Sequence, residues 1–290
     1  MDLSKRIDKF CNVQYVVRLS SQNTLRAYRV DLTQFAKFIE KDIKDINLKD
    51  LRSFLSYLSQ RGISKRSIGR KLSSIKSFFH WLHSSSIITS NPATLLNMPK
   101  FSKDLPDVLL PKEFNRMMQF LGENDTKSLR DKLLISLLYS SGLRSSEALS
   151  IKKTDISTSR CEVRVVGKGG RERIAFFNQE TRRLLIKYLA LVNADEPFLF
   201  DNGKGGALST RFLRLMVEKL AKKVALDKKI SPHTFRHSFA TLLLSNGVNL
   251  KVIQDLLGHA SISSTQIYTH ISKEELRMCY MKYGPFSGGE

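Results

Sequence analysis

Between residues 97 and 110 the chain reads NMPKFSKDLPDVLL, and no regular element can run through that stretch. Pro99 and Pro106 each lack a backbone donor and push the residue before them away from helical geometry. The apolar residues between them follow no helical period. With 290 residues the chain is long enough for two cores. The break therefore divides it into a first domain over 1–96, a linker over 97–110 and a second domain over 111–290.

The first domain reads as all-helical. In TLRAYRVDLTQFAKFIE, Leu25, Tyr28, Leu32, Phe35 and Ile39 form one stripe at the 3.6-residue period. NLKDLRSFLSYLSQRG offers Asn47 as N-cap and Gly62 as a stop. SKRSIGRKLSSIKSFFHWLHS follows, with Ser64 as N-cap and Ile68, Leu72, Ile75, Phe79 and Leu82 as its buried stripe. Opposite that stripe lie Arg66, Arg70, Ser73 and Ser77. A major groove accepts a helix face, and arginine there reads guanine or clamps phosphate. A solvated polar face is the ordinary alternative.

The second domain reads as mostly helical with a small sheet. Pro111 suits the first turn of a helix. SLRDKLLISLLYSSG is an apolar helix ending near Gly142. EVRVVGKGGRERIAFF reads as two short strands around a glycine-rich turn. Helices are expected over 179–192, 209–226 and 231–247. Another runs from a cap at Asn249 to a stop at Gly258. The fold class is thus mainly α, with a small β-sheet confined to the second domain.

Lysine and arginine number 48 against 27 acidic residues, a formal charge of +21. The excess is shared, roughly +11 in residues 1–100 and +10 in the rest. Such a balance favours a polyanion, with nucleic acid the default partner. The longest apolar run, LLISLLY at 133–139, is far short of a membrane span, and MDLSKRIDKF is no signal region. A cytoplasmic protein without a membrane partner is expected. Cys11, Cys161 and Cys279 form no CxxC pair, which suits free thiols in a reducing compartment. Neither zinc spacing nor an acidic cluster for Mg²⁺ is present, so no metal and no cofactor are expected.

Several polar residues stand at the ends of these elements. They are Arg144 in SGLRSSEALSI, Lys168 in VVGKGGRERIAFF, His233 and Arg236 in SPHTFRHSFAT, and His259 and Tyr268 in LLGHASISSTQIYTH. His233 and Arg236, three apart, share one face of a first helical turn. Taken singly, each residue has an ordinary alternative. Arg144 is then a surface arginine, Lys168 a solvated turn residue, His259 a helix cap and Tyr268 a half-buried aromatic.

The ordered set, in these local contexts, resembles the tyrosine recombinase (phage-integrase-like) family, and the resemblance covers nearly the whole chain. SKRSIGRKLSSIKSFFHWL is similar to the core-binding helices of the Xer-type subgroup. The length and the lack of a further arm-binding segment are also similar to that subgroup. The resemblance implies a two-domain, C-shaped DNA clamp: a helical, SAM-like core-binding domain and an α+β catalytic domain. It implies that Tyr268 is the nucleophile and that Arg144 and Arg236 stabilise the transition-state phosphate. His233 takes the phenolic proton, His259 donates to the phosphate, and Lys168 is the general acid on the leaving 5′-oxygen. Lys204, in the similar turn NGKGGALS, is the less favoured lysine, because strand-like segments flank Lys168. Glu147, three residues after Arg144, is a supporting residue that orients it.

These roles answer a physical need. A phosphodiester repels nucleophiles and gains charge on its nonbridging oxygens in the transition state. Planar, permanently charged guanidiniums can hydrogen-bond those oxygens. A tyrosine of pKa near 10 needs a proton acceptor or a cationic pocket. The resemblance further implies action as a tetramer on two double-stranded recombination sites, as a homo-oligomer or with a second recombinase, and possible activation by a DNA translocase. Resolution of chromosome or plasmid dimers is the expected task. A mobile-element integrase, an enzyme with the chemistry of type IB topoisomerases, and a catalytically silent DNA-binding protein are the alternatives. The tail EELRMCYMKYGPF, 274–286, is suited to docking on a neighbouring subunit or on its own chain.

Overall fold

A computed structural model describes residues 3–17, 22–98, 107–167, 170–258 and 272–285. The chain forms two compact units, Met1–Asp104 and Leu105–Glu290.

The first unit contains helices α1 (Leu3–Val16), α2 (Gln22–Phe38), α3 (Leu48–Gln60) and α4 (Lys65–Ser84). The α3 start is held by a reciprocal cap. Asn47 Oδ1 accepts from the Lys49 and Asp50 amides, and Asp50 accepts from the Asn47 amide at 3.0 Å. Ser64 Oγ caps α4 by accepting from the Ser67 amide. The apolar stripes meet in one aromatic-rich core. Phe35 and Phe54 lie edge to face at 5.3 Å, and Phe10 and Phe78 do so at 5.4 Å. Leu32, Phe35 and Ile39 of the α2 stripe are buried, whereas Leu25 and Tyr28 are half-buried. Helix α1 supplies Leu3, Ile7, Phe10 and Cys11 to this core; the sequence reading draws no separate helix there.

The second unit orders α5 (Pro111–Phe120), α6 (Thr126–Ser141), α7 (Ser145–Leu149), a 3-10 turn (Lys153–Asp155), β1 (Ile156–Ser157), β2 (Glu162–Val166) and β3 (Glu172–Phe176). Then follow α8 (Gln179–Leu189), α9 (Thr210–Lys223), α10 (Pro232–Ser245), α11 (Leu250–Leu257) and α12 (Lys273–Tyr283). The sheet is antiparallel in the order β1-β2-β3, so a two-residue strand extends the expected hairpin. Helix α6 is buried all round from Leu133 to Ser141, as the apolar run LLISLLY requires. It ends at Gly142, in left-handed geometry at φ 59°. Helix α8 stops at Leu189, three residues before the expected end.

Gly142 illustrates how tightly the next layer closes. A β-carbon placed there would lie 2.6 Å from Phe239 and 2.9 Å from Leu257. Its left-handed φ and this close approach both demand glycine. Phe239, Leu243, Ile253, Leu256 and Leu257 form a smaller core with Phe176 and Tyr280. Tyr280, fully buried, donates from its hydroxyl to the Ser140 carbonyl at 2.9 Å. Residues 274–285 of the tail thus pack on their own unit. Among the described residues, no helix is long and apolar enough to cross a membrane. All three cysteines are free.

Candidate active site

Four ends of elements meet around Glu147. Arg144 follows the α6 stop and precedes α7. Glu147 lies in the first turn of α7, Arg236 in the first turns of α10, and the last carbonyls of α11 close the cluster. Glu147 is 2% exposed, so its carboxylate needs compensating partners. It receives the Arg144 amide at 2.9 Å and Arg144 Nη1 at 2.5 Å. On its other side Arg173 Nη2 donates to Oε2 at 2.8 Å, and Arg236 Nη1 stands 3.9 Å away. Burial alone would raise the Glu147 carboxyl. The Arg173 charge and the Arg144 hydrogen bonds outweigh it and hold the group below its ordinary value.

Arg236 is fixed by backbone. Nη1 donates to the Gly142 carbonyl at 2.8 Å and Nη2 to the Leu257 carbonyl at 2.7 Å. These acceptors are terminal carbonyls of α6 and α11, which lack intrahelical partners. The fork is therefore oriented before any ligand arrives, and its remaining N–H groups stay available. Burial first, and then the Arg144 and Arg173 charges, pull the Arg236 guanidinium down to about 10, while Glu147 works the other way. The group still carries its charge at neutral pH. Three guanidiniums around one carboxylate leave a local excess of positive charge that an anion would neutralise. Arg144, whose side chain is 30% exposed, is the most accessible of the three.

His233 is exposed on the first turn of α10, one helical turn from Arg236. Lys168, His259 and Tyr268 lie outside the described residues. Two of their chain neighbours are described, and both stand at the cluster. Gly167 precedes Lys168; a β-carbon there would be 3.6 Å from Glu147 Oε1 and 3.9 Å from Arg144 Nη1. Gly258 precedes His259 and presses against the Arg173 side chain. Three other tyrosines of this unit are withdrawn from solvent. Tyr139, Tyr188 and Tyr280 are buried, and burial raises the pKa of each. Tyr283 is half-buried. Lys204 sits in the turn between Asp201 and Ala207, with its amide donating to Asn202 Oδ1 at 2.8 Å. Among the described residues, no three His, Cys, Asp or Glu side chains gather as a metal-ligand set.

Arg173 is the cluster member that sequence reasoning leaves out. Its signal lies in the strand pattern. Arg173 pairs with Val165, and Val163 pairs with Ala175, so the arginine occupies the face that buries those three residues. A charged residue at an inward strand position calls for partners.

In the first unit, Arg66, Arg70 and Ser73 are exposed on α4 and Ser77 is half-buried. Arg66 makes no ion pair among the described residues. Arg70 is less free than the sequence suggests: its Nη1 pairs with Asp31 of α2. Asp31 is fully buried and also accepts from Lys71 at 3.0 Å and from Ser74 at 2.9 Å. This network ties α2 to α4 and anchors Arg70 while leaving its side chain 49% exposed. If this face contacts DNA phosphates, Arg66→Ala should weaken binding across sequences and lower the slope of log K against log salt by about 1. Cleavage of DNA already bound should be unaffected. Titration at several salt concentrations checks this, and an unchanged slope would remove Arg66 from the interface.

Comparison with known proteins follows the same division. The model described as "Phage integrase family" matches residues 107–275, and that described as "Phage integrase, N-terminal SAM-like domain" matches residues 7–85. The protein named Tyrosine recombinase XerC from Leptospira interrogans serogroup Icterohaemorrhagiae serovar copenhageni is 39% identical over 292 residues, covering 98% of this chain and 94% of that protein. Its namesake from Thermodesulfovibrio yellowstonii is 38% identical over 290 residues, covering 97% and 96%. Among solved structures, the XerH site-specific recombinase bound to its difH substrate before cleavage is 25% identical with a TM-score of 0.69, covering 96% of this chain and 83% of that one. The Tn1549 transposon integrase bound to transposon right-end DNA has a TM-score of 0.75 at 19% identity, covering 96% and 98%, a likeness of fold. Kinship along the full length, with both family domains in order and an arginine cluster in the second, places the chain in the phage integrase family, the tyrosine recombinases.

Proposed function

We propose that the chain is a site-specific DNA recombinase of Xer type that cleaves and rejoins DNA through a 3′-phosphotyrosine intermediate. The convergence of Arg144 and Arg236 on the buried Glu147 carries this reading. It provides fixed hydrogen-bond donors and surplus positive charge for one phosphate. In the proposed step, the Tyr268 phenolic oxygen attacks the scissile phosphorus as its proton passes to His233. The bond from phosphorus to the 5′-oxygen breaks, and Lys168 protonates that oxygen. Arg144, Arg236 and His259 hydrogen-bond the nonbridging oxygens as their charge grows. The 5′-hydroxyl of a second strand then reverses the sequence. The phosphoester bond is conserved throughout, so neither ATP nor a divalent ion is required.

The α4 face with exposed Arg66, Arg70 and Ser73 and half-buried Ser77 supports a role in gripping duplex DNA. Action as a tetramer on two sites, alone or with a second recombinase and a translocase, belongs to this reading. So does resolution of chromosome or plasmid dimers in the cytoplasm during cell division. The test uses full-length protein and a nicked duplex carrying the DNA sequence recovered in covalent linkage to the chain in cells. On a denaturing gel the wild-type chain should give a protein–DNA adduct and Tyr268→Phe none. Absence of any wild-type adduct would leave a DNA-binding protein without cleavage.

A further inference from the structure

Arg173 has no part in the scheme above, yet one guanidinium joins three elements through it. From β3, Nη2 donates to Glu147 Oε2 of α7 and Nη1 donates to the Leu256 carbonyl of α11, each at 2.8 Å. Its stem leaves no room beside Gly258, where a β-carbon would come within 2.5 Å of Cδ. Glu147 in turn holds Arg144, and the next carbonyl along α11, that of Leu257, holds Arg236. Every described side-chain hydrogen bond of the two phosphate-binding candidates, apart from that to the Gly142 carbonyl, thus runs to a group Arg173 holds or to its immediate neighbour.

We propose that Arg173 is a positioning residue for strand transfer: by bridging Glu147 to the end of α11 it sets the spacing and aim of the Arg144 and Arg236 forks. The proposal rests on reading the cluster as the phosphate site. Arg173 spends one terminal nitrogen on Glu147 and the other on the end of α11, and its Nε is shut off from solvent, so its fork serves the protein's own groups. A role as mere cement fits poorly. The site demands burial of a cation next to two others, and burial with the Arg144 charge opposes protonation of Arg173, Glu147 countering. An apolar side chain of similar length would fill the space without that desolvation cost. Bridging two acceptors needs the planar fork, which lysine lacks.

The test compares full-length wild type with Arg173→Lys, Arg173→Met and Arg173→Ala in single turnover on the nicked duplex above. DNA affinity and thermal melting are measured alongside. Small misplacements of reacting groups cost roughly 10²-fold in rate. Arg173→Lys and Arg173→Met should therefore form adduct roughly 10²-fold more slowly than wild type while binding DNA and melting as it does. Millimolar guanidinium chloride should restore part of the rate of Arg173→Ala, and ammonium chloride should not. Should the alanine variant fail to fold, Arg173→Lys still decides. A wild-type rate for Arg173→Lys and Arg173→Met, or a slowing matched by lost binding or melting, would overturn the proposal. A wild-type chain that forms no adduct would instead overturn the reading beneath it.

Discussion

Arg236→Ala is expected to slow covalent adduct formation by roughly 10³-fold, about 4 kcal/mol, while DNA affinity is largely kept. Arg236 is held on two helix-end carbonyls, so on the proposed reading its remaining donors meet the phosphate in a fixed geometry. A donor that needs no reorganisation contributes most where charge develops, in the transition state. Its loss should therefore fall on the chemical step. Affinity draws on many cations, since the formal charge of +21 is spread over both halves of the chain. Glu147 would remain paired with Arg144 and Arg173 in this variant, so no buried charge is stranded. Arg236→Lys should recover little, because a single ammonium cannot serve both carbonyls and the phosphate. Arg144→Ala should behave similarly. Single-turnover rates measured beside binding isotherms separate the two contributions. A drop in affinity as large as the drop in rate would make these arginines docking groups.

The second large effect concerns the leaving group. Lys168→Ala should slow cleavage of ordinary DNA by roughly 10²–10⁴-fold, the range of general-acid catalysis. A substrate with sulfur at the bridging 5′ position needs no proton, because a thiolate leaves readily. On that substrate the variant should approach the wild-type rate. Gly167, the residue before Lys168, lies against Glu147 and Arg144, which supports assigning the acid to this turn over Lys204. Parallel time courses on the oxygen and sulfur substrates provide the check. Equal impairment on both would assign Lys168 to DNA contact and leave the general acid to another group.

Local signals in the sequence proved reliable guides to local structure. Asn47, Ser64 and Asn249 cap helices because each side chain meets amides only two or three residues away. Gly142 and Gly258 end helices because their left-handed geometry favours glycine. Glu147 was readable as a partner of Arg144 because three residues of helix bring the two together. Its links to Arg173 and Arg236 depend on strand register and helix packing, which no short window of sequence encodes. Arg173 in GRERIAFF looks like part of a solvated hairpin, and only its pairing with Val165 turns it inward. Asp31 likewise looks like a surface acid on α2 until α4 brings Arg70, Lys71 and Ser74 against it. Helix α12 differs: the reciprocal Ser272–Glu275 cap is a local start signal, and only its buried face, set by Tyr280, depends on distant packing.

Peptide mapping of the adduct formed by the full-length chain in excess EDTA tests the central claim most directly. The account predicts a DNA 3′-phosphate esterified to Tyr268, formed at the rate seen without chelator. An adduct on another residue, or none once divalent ions are removed, would contradict it.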